Sequence, residues 1–70
     1  MTWKRYNDTT WGLVDGTNSF AAHAVQWPDE VRWLAQAQIN GEVLDYGWHV
    51  TARDAIDRLN LVMWLEGRKA

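Results

Sequence analysis

The chain has no cysteine, a single proline and a single serine among its 70 residues. Without cysteine it can form no disulfide, iron–sulfur cluster, thiolate zinc site or cysteine nucleophile. Its two histidines, His23 and His49, are too few for a dedicated histidine metal cage. There is no serine–histidine motif, because Ser19 lies in turn-forming sequence, and Gly12, Gly16, Gly41, Gly47 and Gly67 are too scattered to cradle a phosphate. No apolar run approaches the ~20 residues of a membrane span. The start, MTWKRYNDTT, lacks the apolar stretch of a secretory signal. The Asn7-Asp8-Thr9 triplet has the form of a glycosylation acceptor, but that form carries weight only in a secreted chain. These absences point to a non-enzymatic, cytoplasmic protein with no catalytic residues, no metal, no cofactor and no membrane association.

Net charge is also small. Seven basic and nine acidic residues give a net charge of −2, and the pI is near 5.5. General nucleic-acid binders draw their affinity from Lys and Arg neutralising phosphates, and this balance does not supply it. A core built from so short a chain supplies only ~3–5 kcal/mol, and the usual supplements are disulfides, a metal or association. With the first two removed, self-association as a homodimer is the expected supplement.

What the chain has in excess is tryptophan, six in all: Trp3, Trp11, Trp27, Trp33, Trp48 and Trp64. An enclosed indole buries about 150–250 Å² and brings an N–H that needs an acceptor. One small core cannot take six, so some rings are expected at an interface, where aromatic side chains serve as anchors.

The clearest local signal is Asn40-Gly41 between two alternating runs. Asn-Gly favours a two-residue type I′ turn, since both positions need positive φ. Folding there sets Ile39 against Glu42, Ala37 against Leu44, Ala35 against Tyr46, Trp33 against Trp48 and Val31 against Val50. Arg32, Gln36, Gln38, Val43, Asp45 and His49 fall on the other face, and a one-residue slip would scramble the division. Upstream, Trp27-Pro28-Asp29-Glu30 suits a tight turn. It brings Ala24 beside Trp33, Ala22 beside Ala35 and Phe20 beside Ala37. Pro28-Asp29-Glu30 also resembles a helix first turn, with Val31, Leu34, Ala35 and Ile39 at helical spacing, but the Asn-Gly register favours a strand. A four-residue loop, Asp15–Asn18, then sets Leu13 against Phe20 and Trp11 against Ala22.

Residues 1–8 read as an N-terminal arm, loose or forming a short edge extension, polar apart from Trp3 and Tyr6. Thr51-Ala52-Arg53-Asp54 resembles a capping box. Ala52, Ala55, Ile56, Leu59 and Met63 then recur at helical spacing, predicting a helix over 52–66 with Gly67 as C-cap and Arg68-Lys69 near its negative end. The expected fold is therefore one small α+β domain, a four-stranded antiparallel meander over 10–50 with one C-terminal helix on its apolar face.

Two surfaces carry more apolar side chain than that fold needs. On the helix, Ile56, Leu59 and Met63 can face the sheet, which leaves Leu61, Trp64 and Leu65 pointing elsewhere. Either a partner covers them, or the arm does through Trp3 and Tyr6, or 61–65 is a fifth strand. On the outer sheet face Val25, Trp27, Arg32 and Leu34 form an aromatic–aliphatic–arginine cluster. Trp33 and Trp48 are expected in the core, and Asp45 and His49 as solvated neighbours outside. These features favour a protein-interaction module, self-associating and docking onto a larger protein, in the manner of the small accessory or inhibitor proteins of phages and mobile elements. That comparison is one of general character, resting on no motif. The alternatives are single-stranded nucleic-acid binding, which needs a basic groove, and carbohydrate binding, which needs coplanar exposed indoles.

Overall fold

Asn40 (φ 53°) and Gly41 (φ 83°) both take the left-handed backbone that the type I′ turn demands. The computed structural model, which describes residues 2–69 apart from the side chain of Lys69, sets this hairpin inside a larger sheet. Five strands, β1 (Lys4–Asn7), β2 (Thr10–Asp15), β3 (Asn18–Gln26), β4 (Val31–Ile39) and β5 (Glu42–His49), precede one helix, α1 (Ala52–Lys69). The strands lie in chain order, each antiparallel to the next. The Val31–Ile39 segment is a strand because both its edges find partners. That outweighs its helical propensity.

The register of β2, β3 and β4 follows the expected pairs: Leu13 with Phe20, Trp11 with Ala22, Ala22 with Ala35, and Ala24 with Trp33. The Asp15–Asn18 connection is tighter than four residues, since Asp15 itself pairs with Asn18 and only Gly16 and Thr17 turn. At the next joint the Trp27 N–H donates to the Glu30 carbonyl at 2.7 Å, closing the loop around Pro28.

Among the described residues the strands number five, not four, because the N-terminal segment takes the edge-extension form as β1. Lys4 pairs with Gly12, Arg5 with Trp11 and Asn7 with Thr10, so Tyr6 is an extra residue in a bulge. The bulge breaks the alternation that would have announced a strand. Trp3 ties down its start, the indole N–H donating to Asn60 Oδ1 at 2.9 Å.

One face of the sheet receives the helix. Its floor is small: Ala22 and Ala35 are fully buried and Ala37 nearly so. Against it the helix turns Ala55, Leu59 and Val62, and Leu13, Phe20 and Ile39 complete the core. Ile56 and Met63 flank this stripe half-buried, and Val62, absent from the sequence-based stripe, belongs to it. Thr51 caps the helix, its Oγ1 accepting the Asp54 N–H at 3.1 Å. The helix does not stop at Gly67. That residue keeps a negative φ and the helix continues to Lys69, with Arg68 stacked 4.6 Å over the Trp64 ring one turn back. This i,i+4 contact stabilises the last turn without a glycine cap.

Leu59 is wholly enclosed and Leu61, two residues on, is 43% exposed. Leu59→Ala should cost about 3–5 kcal/mol as a cavity-forming change, and Leu61→Ala under about 1 kcal/mol. Urea denaturation of the two variants checks the helix orientation; equal losses would rule it out.

Candidate surface on the outer sheet face

The pairing of β4 with β5 departs from the expected register at one point. From the turn outward Ile39 meets Glu42, Ala37 meets Leu44 and Gln36 meets Asp45, but Leu34 then meets Trp48 and Trp33 meets His49. Strand β5 therefore carries one extra residue between Asp45 and Trp48. Gly47 sits there with φ 94°, a backbone that side chains on Cβ disfavour. The expected pairs Trp33–Trp48 and Val31–Val50 do not form, and Val50 lies beyond the strand.

The consequence is a change of face. Tyr46 stays on the helix side against the core, while Trp48 turns to the outer side and is 45% exposed. Trp33 remains half-buried against the core without Trp48 as a partner. His49 moves the opposite way, to the Trp33 side, its Nε2 3.3 Å from the Tyr46 carbonyl. Asp45 and His49 are thus on different faces. Asp45 instead accepts a hydrogen bond from Gln36 Nε2 at 2.9 Å. His23, opposite Leu34, stays on the outer face, and among the described residues no three His, Asp or Glu converge.

Trp48 arrives beside Trp27. Their ring centroids are 5.5 Å apart with planes at 84°, the edge-to-face arrangement that suits two ring quadrupoles. Arg32 lies over the Trp27 ring, its guanidinium carbon 4.3 Å from the centroid, held there by Glu30 at 2.6 Å. Leu34 pairs with Trp48 and Val25 with Arg32 across the strands. The four residues singled out by sequence, Val25, Trp27, Arg32 and Leu34, therefore form one cluster, and Trp48 is its missed member. The only sequence signal for Trp48 was the glycine before it. Trp27 Nε1 is shielded from solvent and finds no acceptor among the described residues. An unmet donor costs about 1–3 kcal/mol, which the ring contacts must outweigh.

Leu61, Trp64 and Leu65 lie on a different surface, the solvent side of α1, and are 43%, 55% and 44% exposed. They are helical, not a fifth strand. Trp3 reaches the helix at Asn60 but leaves these three side chains uncovered. Beside them Tyr46, Arg58, Val62, Leu65, Glu66 and Arg68 line an open cleft of about 450 Å³. No helix among the described residues is long and apolar enough to cross a membrane.

Gly47→Val should cost about 1–2 kcal/mol through its positive φ and loosen the Trp27–Trp48 contact. Far-ultraviolet circular dichroism reads this directly, since two indoles in contact give an exciton couplet. The couplet should be present in the wild type, absent in Trp48→Phe and diminished in Gly47→Val. A couplet unaffected by Trp48→Phe would contradict the bulged register.

No protein-family model, curated protein or solved structure matches the chain.

Proposed function

We propose that the protein is a small non-catalytic interaction module that docks onto a larger protein through the outer face of its sheet and self-associates through its helix. The observation that carries this reading is the solvent-facing cluster of Trp27, Trp48, Arg32, Leu34 and Val25. Trp and Arg are the residue types that dominate binding energy at protein interfaces, in patches where a rim of weaker contacts excludes water. Here two indoles and an arginine are already held by their own contacts, so little side-chain freedom is lost on docking. The open face of an antiparallel sheet is usually more polar than one bearing Val14, Val25, Val43, Leu34 and two indoles.

The geometry favours a protein partner over a sugar or a nucleic-acid strand. Indoles at 84° offer no flat double platform for sugar rings. The one cation of the cluster, Arg32, is paired with Glu30 rather than free for phosphates.

Affinity capture from an extract of the source cells, comparing wild type with Trp27→Ala and Trp48→Ala, tests the reading. The wild type should retain a stoichiometric protein partner, and each variant should bind the purified partner at least about tenfold more weakly, the loss of a hot-spot side chain. Retention of the same proteins by both folded variants would reject the outer face as the docking surface.

A further inference from the structure

The helix carries two seams of identical spacing. Ala55, Leu59, Val62 and Glu66 face the sheet, buried or half-buried. Two residues on, and so about 200° around the axis, Asp57, Leu61, Trp64 and Arg68 face solvent, all four exposed. The steps of four, three and four are those of a coiled-coil a/d seam. The solvent seam is acidic at one end, apolar in the middle and basic at the other. It is symmetric about the point between Val62 and Met63, so reversing it lays Asp57 on Arg68 and Leu61 on Trp64. The helix dipole favours acids early and bases late in any helix, but it does not require them to share one seam with Leu61 and Trp64.

We propose that this seam pairs with the same seam of a second copy, the two helices antiparallel about a two-fold axis. Asp57 then meets the partner's Arg68, Leu61 meets the partner's Trp64, and each contact occurs twice. This deepens the self-association part of the reading above and rests on it. Arg68 is already oriented for the role. Its guanidinium is stacked on Trp64 at 4.6 Å, and a stacked guanidinium still presents its N–H edge to a carboxylate. Leu61 and Trp64 supply the affinity. The exposed charge pairs contribute little and instead fix the antiparallel direction.

Pairing through strand edges is the competing route to a dimer, and the fold resists it. The two outermost strands, β1 and β5, are the ones with irregular registers, whereas the β2–β3 and β3–β4 pairings run without interruption. Bulged edges are a recognised guard against edge-to-edge association. A seam this short buries less than the ~1,200 Å² at the low end of stable complexes. The dimer should therefore exchange rapidly, with a midpoint on the order of 100 µM.

Light scattering on a sizing column, with the protein loaded from about 10 µM to 1 mM to span that midpoint, tests the proposal. Mass must be read by scattering, because a molecule of 41 × 20 × 19 Å elutes ahead of a sphere of equal mass. Wild type should pass from monomer to dimer. Asp57→Arg and Arg68→Asp, each creating two like-charge contacts, should each raise the midpoint at least about tenfold. An equimolar mixture of the two variants restores both opposite-charge contacts and should dimerise like the wild type. That rescue also shows both variants to be folded. Trp64→Ala should remain monomeric, with circular dichroism altered by no more than fraying of the last helical turn that the Arg68 stack holds. A wild-type monomer at every concentration overturns the proposal together with self-association itself. A dimer that survives both charge reversals, or is lost only on Trp27→Ala, leaves self-association standing and overturns the helix pair.

Discussion

The close approach of the helix to the sheet governs most of the molecule. Ala22, Ala35 and Ala37 form the floor and Ala55 faces them from the helix, so the two backbones approach with little side chain between them. Leu59 enters that space and is fully enclosed. A floor of alanines leaves no central room for an indole. Phe20 is the one ring in the core, and the indoles of Trp3, Trp11 and Trp33 and the Tyr46 ring are displaced to the margins of the interface, where they pack half-buried. Dense interdigitation of small and large side chains is what such a thin core requires. It resolves half of the tryptophan surplus: three indoles rim the helix, and the other three remain outside that rim.

Those three are distributed by two different devices. Trp64 lies outward because helical geometry sets it far around the axis from Leu59. Trp27 and Trp48 meet because a single extra residue in β5, at a glycine with positive φ, reverses the side-chain alternation of the strand end. The edge-to-face contact and the Arg32 stack then hold an apolar cluster together on the face away from the helix. The bulges thus interrupt the pairing of each edge strand with its inner neighbour and add local twist, which disfavours edge-to-edge association, and one of them assembles the outer aromatic cluster.

The two apolar surfaces lie on opposite sides of the sheet, one on its outer face and one on the back of the helix. If both proposed contacts form, neither occludes the other, so a second copy and a different protein could be bound together. The weak, symmetric helix contact would then act through effective concentration, as paired copies bind a repeating or dimeric partner more tightly than either copy alone.

Much of this architecture was legible in the chain itself. The Asn40-Gly41 turn, the pairs from Leu13–Phe20 through Ala24–Trp33, the Thr51 cap and the outward direction of Leu61, Trp64 and Leu65 follow from local rules: turn chemistry, two-residue alternation and helical spacing. Where alternation is broken, those rules lose their hold. Tyr6 and Gly47 each stand at a bulge, so β1 passed for an arm or edge extension and Trp48 for a core residue. Gly67 passed for a helix end because its replacement, the Arg68–Trp64 stack, spans a turn. The class, the turns and the register of the central strands could be read from the chain alone, because each rests on turn chemistry and alternation between near neighbours. The pairing of β1, the face of Trp48 and the partner of Trp27 emerge in the folded molecule, because a bulge forms where a neighbouring strand and a packed core make the irregular register lower in free energy than the regular one.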